Sequence, residues 1–259
     1  MSQPIFTAEE RERYARHILL KEIGGAGQQR LKAACVALVG AGGLGAPAAL
    51  YLAAAGVGKL RLIDDDAVSL SNLQRQVIYR TADVGAAKTT RAAAALSALN
   101  PHVEIDLRAE RLNAGNAEAL LADADIVLDG CDSFATRFAV NAACHTLGLT
   151  LISGAVGRWE GQLGVFKSGR TKHLTPPERA PCYQCFVSEA PETEETCADV
   201  GVVGALTGII GAMMALEAIK EIAQAGESLA GRLRLFDGLS GESRLVTLRP
   251  DPRCPLCGA

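Results

Sequence analysis

The 259-residue sequence predicts an α/β protein: a doubly wound, mostly parallel sheet that continues into an antiparallel C-terminal half. Three observations predict it. Short apolar runs alternate with helical segments from Cys35 to Ser153. The first run opens into a glycine-rich turn, G-A-G-G-L-G, at Gly40 to Gly45. From Gln162 onward the pattern changes to short strands, the last two joined through D-G-L-S-G-E.

Element by element, Thr7-Ala-Glu-Glu10 reads as a capping box that opens a helix running to about Glu22, where the pair Gly24-Gly25 ends it. Cys35 to Val39 is a buried-type strand, and an Ala-rich helix to Ala55 follows the glycine turn. Lys59 to Ile63 is the next strand, ending in Asp64-Asp65-Asp66. Ala67 to Gly85 has little regular pattern, and a loop of that length in a compact domain is usually functional. The remaining predicted order is helix Ala86 to Leu99, strand Val103 to Leu107, short helix Asn116 to Leu121 and strand Ile126 to Asp129. Helix Ser133 to Leu147 and strand Thr150 to Ser153 complete the alternation. Strands Gln162 to Lys167, Arg232 to Phe236 and Arg244 to Leu248 read as antiparallel, with a helix from about Val200 between them. No repeat and no linker divides the chain. It reads as one domain over 1–259, whose halves 1–155 and 156–259 differ in strand pattern.

Composition narrows the function. Aromatic residues are 4%, too few for a base-stacking surface, and 26 Lys plus Arg against 29 Asp plus Glu gives no electrostatic reason to expect nucleic acid or membrane. No secretory pattern opens the chain, and the most apolar helix, Val200 to Ile219, carries Glu217 and several glycines. A cytoplasmic protein with reduced cysteines is the expectation.

Gly40, Gly42 and Gly45 fit G-x-G-x-x-G between a strand and a helix. There the backbone can approach a phosphate and the helix N-terminus supplies amide donors. Asp64, at the end of the next strand, is placed to accept hydrogen bonds from a ribose hydroxyl. These features alone would also suit NAD, so an NAD-dependent oxidoreductase is the competing reading. Asn72, Arg75 and Lys88 favour ATP, because a triphosphate needs this many polyphosphate contacts and a nicotinamide site does not. No G-x-x-x-x-G-K-[ST] is present, which excludes a P-loop.

Cys182-Tyr-Gln-Cys185 and Cys254-Pro-Leu-Cys257 form two C-x-x-C knuckles. Together they offer a tetrahedral S₄ shell suited to Zn²⁺, closed and therefore structural. Cys35, Cys131 and Cys144 read as small core residues, and His17, His102, His145 and His173 as structural or solvated.

G-A-G-G-L-G, D-x-D-x-V-x-x-S-N-L-Q-R-Q, Lys88 and the Asp132 that follows V-L-D-G-C together resemble the HesA/MoeB/ThiF adenylyltransferases, from about Arg13 to Cys257. The resemblance implies an enzyme of the ubiquitin-activating type, which acyl-adenylates the Gly-Gly carboxylate of a small ubiquitin-like carrier (MoaD-like or ThiS-like) and releases pyrophosphate. It places Gly40, Gly42, Gly43 and Gly45 at the phosphates, Asp64 and Asp66 toward the ribose, and Asn72, Arg75, Gln76 and Lys88 around the triphosphate. Asp132 would hold Mg²⁺. Arg16 would reach the neighbouring subunit's phosphates, which implies a homodimer. A carboxylate with a pKa of about 3.5 is already a nucleophile at neutral pH, so alignment and charge neutralisation suffice without a base. Family members usually carry Asn after the magnesium aspartate. Here it is Ser133, which reads as the cap of the following helix. Relatives use a cysteine at the place of Cys197 in a covalent relay or dispense with it, and Glu189, Glu192, Glu194, Glu195 and Asp199 would disfavour its thiolate. With no rhodanese-like segment after Cys257, a separate persulfide donor would supply any sulfur. A carrier-binding scaffold without catalysis is a third reading.

Overall fold

The computed structural model describes residues 6–175, 178–191 and 200–258. Its strands are β1 (Cys35–Val39), β2 (Lys59–Ile63), β3 (Glu104–Arg108), β4 (Ile126–Asp129), β5 (Thr150–Gly157), β6 (Glu160–Phe166), β7 (Arg232–Asp237) and β8 (Ser243–Thr247). They form one sheet in the order β3-β2-β1-β4-β5-β6-β7-β8. The pairs from β3 through β5 are parallel, and those from β5 through β8 antiparallel. The two halves expected from the sequence therefore share a continuous sheet, hinged at β5, which is parallel on one edge and antiparallel on the other.

Strand periodicity explains the layering. Val36 and Leu38 of β1, with Leu60 and Leu62 of β2, face one apolar cluster, while Ala37, Val39 and Ile63 face another. Helices α4 (Gly45–Ala54), α5 (Lys88–Leu99) and α9 (Gly204–Ala223) cover the first face. Helices α6 (Ala117–Leu121) and α7 (Phe134–Leu147) cover the second. Both faces are dry, as a parallel sheet requires. Helix α9 has 20 residues. Among the described residues no helix is long and apolar enough to cross a membrane.

The N-terminal helix departs from expectation. Its capping box forms, with Thr7 Oγ1 accepting from the Glu10 amide at 3.1 Å and Glu10 accepting from the Thr7 amide at 2.8 Å. The helix then breaks at Tyr14 into α1 (Ala8–Arg13) and α2 (Ala15–Ile18). Tyr14 is buried, and its hydroxyl accepts from Asn100 Nδ2 at 2.8 Å, so tertiary docking overrides local propensity. The Gly24-Gly25 pair does not end that helix. It stands at the start of α3 (Gly24–Ala33), where Gly24 takes φ +57°. A last short helix, α8 (Ser168–Thr171), follows β6. Ser133 occupies the N-cap position of α7, but its side chain makes no capping bond. Only its carbonyl accepts, from the Arg137 amide at 3.0 Å.

Candidate active site

Strands β1 and β4 lie side by side, and their connections leave to opposite sides of the sheet. A crevice opens at their carboxyl ends, the usual ligand position in such sheets. The end of β1 carries the glycine turn and the end of β4 carries Gly130 to Ser133. Gly40, at φ +90°, turns the chain so closely that a Cβ would meet the Gly130 carbonyl at 3.2 Å. A Cβ on Gly45 would lie 1.8 Å from the Gly40 oxygen, so Gly45 closes the turn against the first residues of α4. A Cβ on Gly42 would meet only Gln76 Nε2, at an ordinary contact distance of 3.5 Å, and Gly42 borders the cavity. Backbone there is free to approach a ligand.

The crevice is a cavity of about 340 Å³. Its wall brings together most of the predicted set: Gly40, Gly42 and Gly43 on the glycine turn, Asp64 and Asp66 after β2, Arg75 and Gln76 on the following loop, Lys88 at the head of α5, and Asp132. Gly45, Asn72 and Arg16 are not in that wall. Asn72 ends a one-turn helix (Leu70–Asn72), and Arg16 lies exposed on α2. Cys197 lies outside the described residues. Among the described residues no histidine lines the cavity: His17 pairs with Gln28 at 3.2 Å, His145 with Ser168 at 3.0 Å and His102 with Glu9 at 3.3 Å.

Asp64 accepts from the amides of Ala41 at 2.7 Å and Asp66 at 2.9 Å, which locks the acid against the glycine turn. Burial pushes its carboxyl above the ordinary range, with Lys88 and the two amides opposing the shift. Lys88 is buried, and its Nζ donates to Asp66 at 2.7 Å. Because Asp66 is half exposed, an incoming phosphate can compete for that cation at small cost. Gln76 is buried, and its Oε1 has no hydrogen-bond partner although the side chain borders the cavity. A buried amide oxygen left unsatisfied costs about 1–3 kcal/mol, which a bound ligand can recover. The backbone at Gly42 and the cations Arg75 and Lys88 fit a nucleotide polyphosphate, while the unsatisfied Gln76 oxygen calls for a donor, which a ribose hydroxyl or a base amine offers and a phosphate does not.

Several supporting residues carry no local sequence signal. Tyr79 is buried, and its hydroxyl donates to the Ala41 carbonyl at 2.7 Å, pinning the glycine turn from behind. The Thr207 hydroxyl of α9 donates to the Gly204 carbonyl at 2.7 Å and shares that hydrogen with the Arg75 carbonyl at 3.3 Å, which ties the 69–76 loop to the helix. Arg111 lines the cavity and pairs with Asp65 at 3.1 Å. Arg137 of α7 is buried in the cavity wall. It donates to Asp129 Oδ2 at 3.2 Å, Ser153 Oγ at 3.1 Å, the Gly154 carbonyl at 3.0 Å and the Cys131 carbonyl. Burial works against its charge, and Asp129 more than restores it, raising the guanidinium pKa. An arginine five residues after a predicted metal-binding aspartate was the available hint. Cys131 is not a simple core residue: its Sγ lies on the cavity wall and donates to Asp129 Oδ1 at 2.8 Å. Burial, with Asp129 beside it, pushes that thiol well up, so it is unreactive at neutral pH.

Away from the cavity, Cys182, Cys185, Cys254 and Cys257 converge with all four sulfurs within 4.8 Å of one another. Adjacent sulfurs stand 3.4 Å apart for Cys182–Cys254 and for Cys185–Cys257, and 4.0 Å for Cys182–Cys185. A tetrahedral ZnS₄ site with bonds of about 2.3 Å requires sulfur separations of about 3.8 Å, so the cluster can hold zinc with little movement. The Asp251 amide donates to Cys185 Sγ at 3.4 Å, a contact that favours a thiolate ligand.

The model of the ThiF family matches residues 14–256. The chain belongs to the ThiF family. It is 44% identical over 98% of its length to the sulfur carrier protein adenylyltransferase of Thermus thermophilus, covering 93% of that protein. It is 45% identical over 95% of its length to the sulfur carrier protein ThiS adenylyltransferase of Escherichia coli, covering 94% of it. The SAMP-activating enzyme E1 of Haloferax volcanii is 43% identical over 97% of the chain and 90% of the enzyme. Among solved structures, E. coli MccB bound to MccA-N7isoASN superposes with a TM-score of 0.82. That match covers 96% of this chain and 75% of that one at 24% identity, a likeness of fold alone. For a ThiF-family chain the adenylyltransferase expectation drawn from S-N-L-Q-R-Q is borne out, and the oxidoreductase alternative is set aside.

Proposed function

We propose that this chain is an ATP-dependent adenylyltransferase acting on the C-terminal Gly-Gly carboxylate of a small ubiquitin-like sulfur-carrier protein. The observation that carries the proposal is the single cavity where the glycine turn, Asp64, Arg75, Lys88 and Asp132 meet at the β1/β4 crevice. The whole chain acts as one adenylation unit, the half up to residue 155 holding ATP and the half from 156 receiving the carrier.

In this reading the carrier carboxylate oxygen attacks the α-phosphorus, a new acyl–phosphate bond forms, and the bond to the β-phosphate oxygen breaks to release pyrophosphate. Charge balance dictates the residues. Arg75 and Lys88 neutralise the polyphosphate, the amides beside Gly42 cradle it, and Asp64 with Asp66 fixes the ribose. Asp132 would hold Mg²⁺, which shields the leaving pyrophosphate's charge. Zn²⁺ in the four-cysteine cluster would be structural, since four thiolates leave no open position. The tail would enter from the antiparallel side: a groove of about 380 Å³ lies over β5 to β7 and shares Ala155, Val156, Gly157 and Gln162 with the cavity. The carrier would be MoaD-like or ThiS-like, serving molybdopterin or thiamine-type sulfur transfer in the cytoplasm, with a separate protein persulfide as sulfur donor.

The test is ATP–pyrophosphate exchange by the purified protein with Mg²⁺ and carriers ending in Gly-Gly. Exchange dependent on one carrier is expected. A protein that binds no ATP sinks the proposal.

Homodimerisation belongs to the same reading. Apolar side chains stand exposed on elements grouped around α9: Tyr51 on α4, Ile209 and Leu216 on α9, and Leu70 and Val77 on the loop that α9 holds. Arg16 is exposed rather than turned to its own cavity, as a residue serving the neighbouring subunit would be. Sedimentation velocity is expected to give twice the 27.0 kDa chain mass. Leu216→Glu should move the protein toward monomer, and a wild-type chain that sediments as a monomer removes the dimer from the proposal.

A further inference from the structure

Helix α7 carries two polar residues one turn apart, Arg137 and Asn141, on a single face. Both are buried. Asn141 turns to the first cysteine knuckle: its Oδ1 accepts from the Tyr183 amide at 3.0 Å, and its Nδ2 lies 3.5 Å from Gln184 Oε1. Tyr183 and Gln184 are the two residues between Cys182 and Cys185. Arg137 turns to the nucleotide loop and donates to the carbonyl of Cys131, the residue before Asp132. Tyr183 joins the two. Its ring packs against Phe138 at 6.2 Å and Phe166 at 5.7 Å between centroids, and its polar end lies against the Arg137 guanidinium.

We infer that Arg137 is a positioning residue that transmits the placement of the four-cysteine clamp to Asp132. The guanidinium spans four fixed points: Asp129 at the end of β4, Ser153 beside it within β5, the Gly154 carbonyl and the Cys131 carbonyl. Its planar fork holds that carbonyl in one place, and the carbonyl sets where the next residue's carboxylate points. Asp132 is exposed and on a loop, so nothing in its own packing orders it. The order comes from the cavity wall, through Arg137, and from the clamp through Tyr183. A residue serving only to neutralise the buried Asp129 would need neither the Cys131 contact nor the tyrosine.

The inference rests on Asp132 holding Mg²⁺, and the test separates the two claims. Binding of a fluorescent ATP analogue to the purified chain is titrated with MgCl₂, and zinc content is measured alongside. Arg137→Lys keeps the charge opposite Asp129 and loses the fork. It is expected to raise the magnesium midpoint about 10-fold or more at unchanged zinc content. Tyr183→Phe keeps the ring packing and loses the hydroxyl. It is expected to raise the midpoint about 3-fold, with little further effect in the Arg137→Lys background. An unchanged midpoint in Tyr183→Phe, or equal weakening with and without magnesium in folded Arg137→Lys, overturns the inference. If Arg137→Lys does not fold, Tyr183→Phe decides alone. Wild-type binding that ignores magnesium would instead overturn the role of Asp132.

Discussion

Asp132→Ala is expected to lower carrier-dependent ATP–pyrophosphate exchange by about 10²- to 10³-fold, the usual cost of removing one preorganised charge-stabilising group. The same substitution should leave folding almost untouched. Asp132 is exposed between β4 and α7, outside the ladder and the core, where replacements typically change stability by less than about 0.5 kcal/mol. The contrast with its neighbours is what makes the variant informative. Asp129, three residues earlier, is buried against Arg137, and breaking such a pair costs about 3–5 kcal/mol, so loss of activity there would report unfolding. Exchange measured at saturating ATP, with a melting curve on the same sample, separates the two causes. Full exchange in a folded Asp132→Ala protein would remove the metal-binding role from this residue.

Cys254→Ser is expected to release zinc and lower the melting temperature by about 10 °C or more. The clamp joins positions 72 residues apart, Cys182 to Cys254 and Cys185 to Cys257, and so ties the chain beyond β8 to the knuckle beside α7. A cross-link closing a loop of that length is worth about 4 kcal/mol, or about 10 °C at about 3 °C per kcal/mol in a chain this size. The sulfur spacings suit a metal and not a disulfide, since neither 3.4 Å nor 4.0 Å approaches the bonded distance of about 2.05 Å. Elemental analysis should find one zinc per chain in the wild type. Protein that purifies without zinc, or melts unchanged after the substitution, would refute the clamp.

Features whose physics is local were legible in advance. The glycine turn is one: a strand, three glycines and a helix within a few residues leave the backbone little choice, and the structure puts the turn at the crevice. Strand positions were legible because parallel strands buried on both faces must be largely apolar, as β1 is throughout and β4 is up to Asp129. The helix expected from about Val200 begins at Gly204, past the short pairing of Arg158 with Val202. The cysteine clamp was legible because ligand chemistry demands two knuckles whatever their separation.

What the sequence by itself determined is therefore the α/β alternation, the glycine turn with its acid and cations, the two cysteine pairs that converge and, through S-N-L-Q-R-Q, the family. Only the tertiary structure decided how these parts are held. Tyr79 reaches the glycine turn across 38 residues, Thr207 holds the Arg75 loop across 132, and Arg137 binds Ser153 across 16. Tyr14 breaks its own helix to meet Asn100 across 86. Each is a polar group whose partner is chosen by the sheet order, which brings the first three together at the carboxyl ends of β1 and β4 and the last at the opposite edge, before β2 and β3. Local propensity carries no record of that choice, because the cost of burying these groups is recovered only once the far partner has arrived.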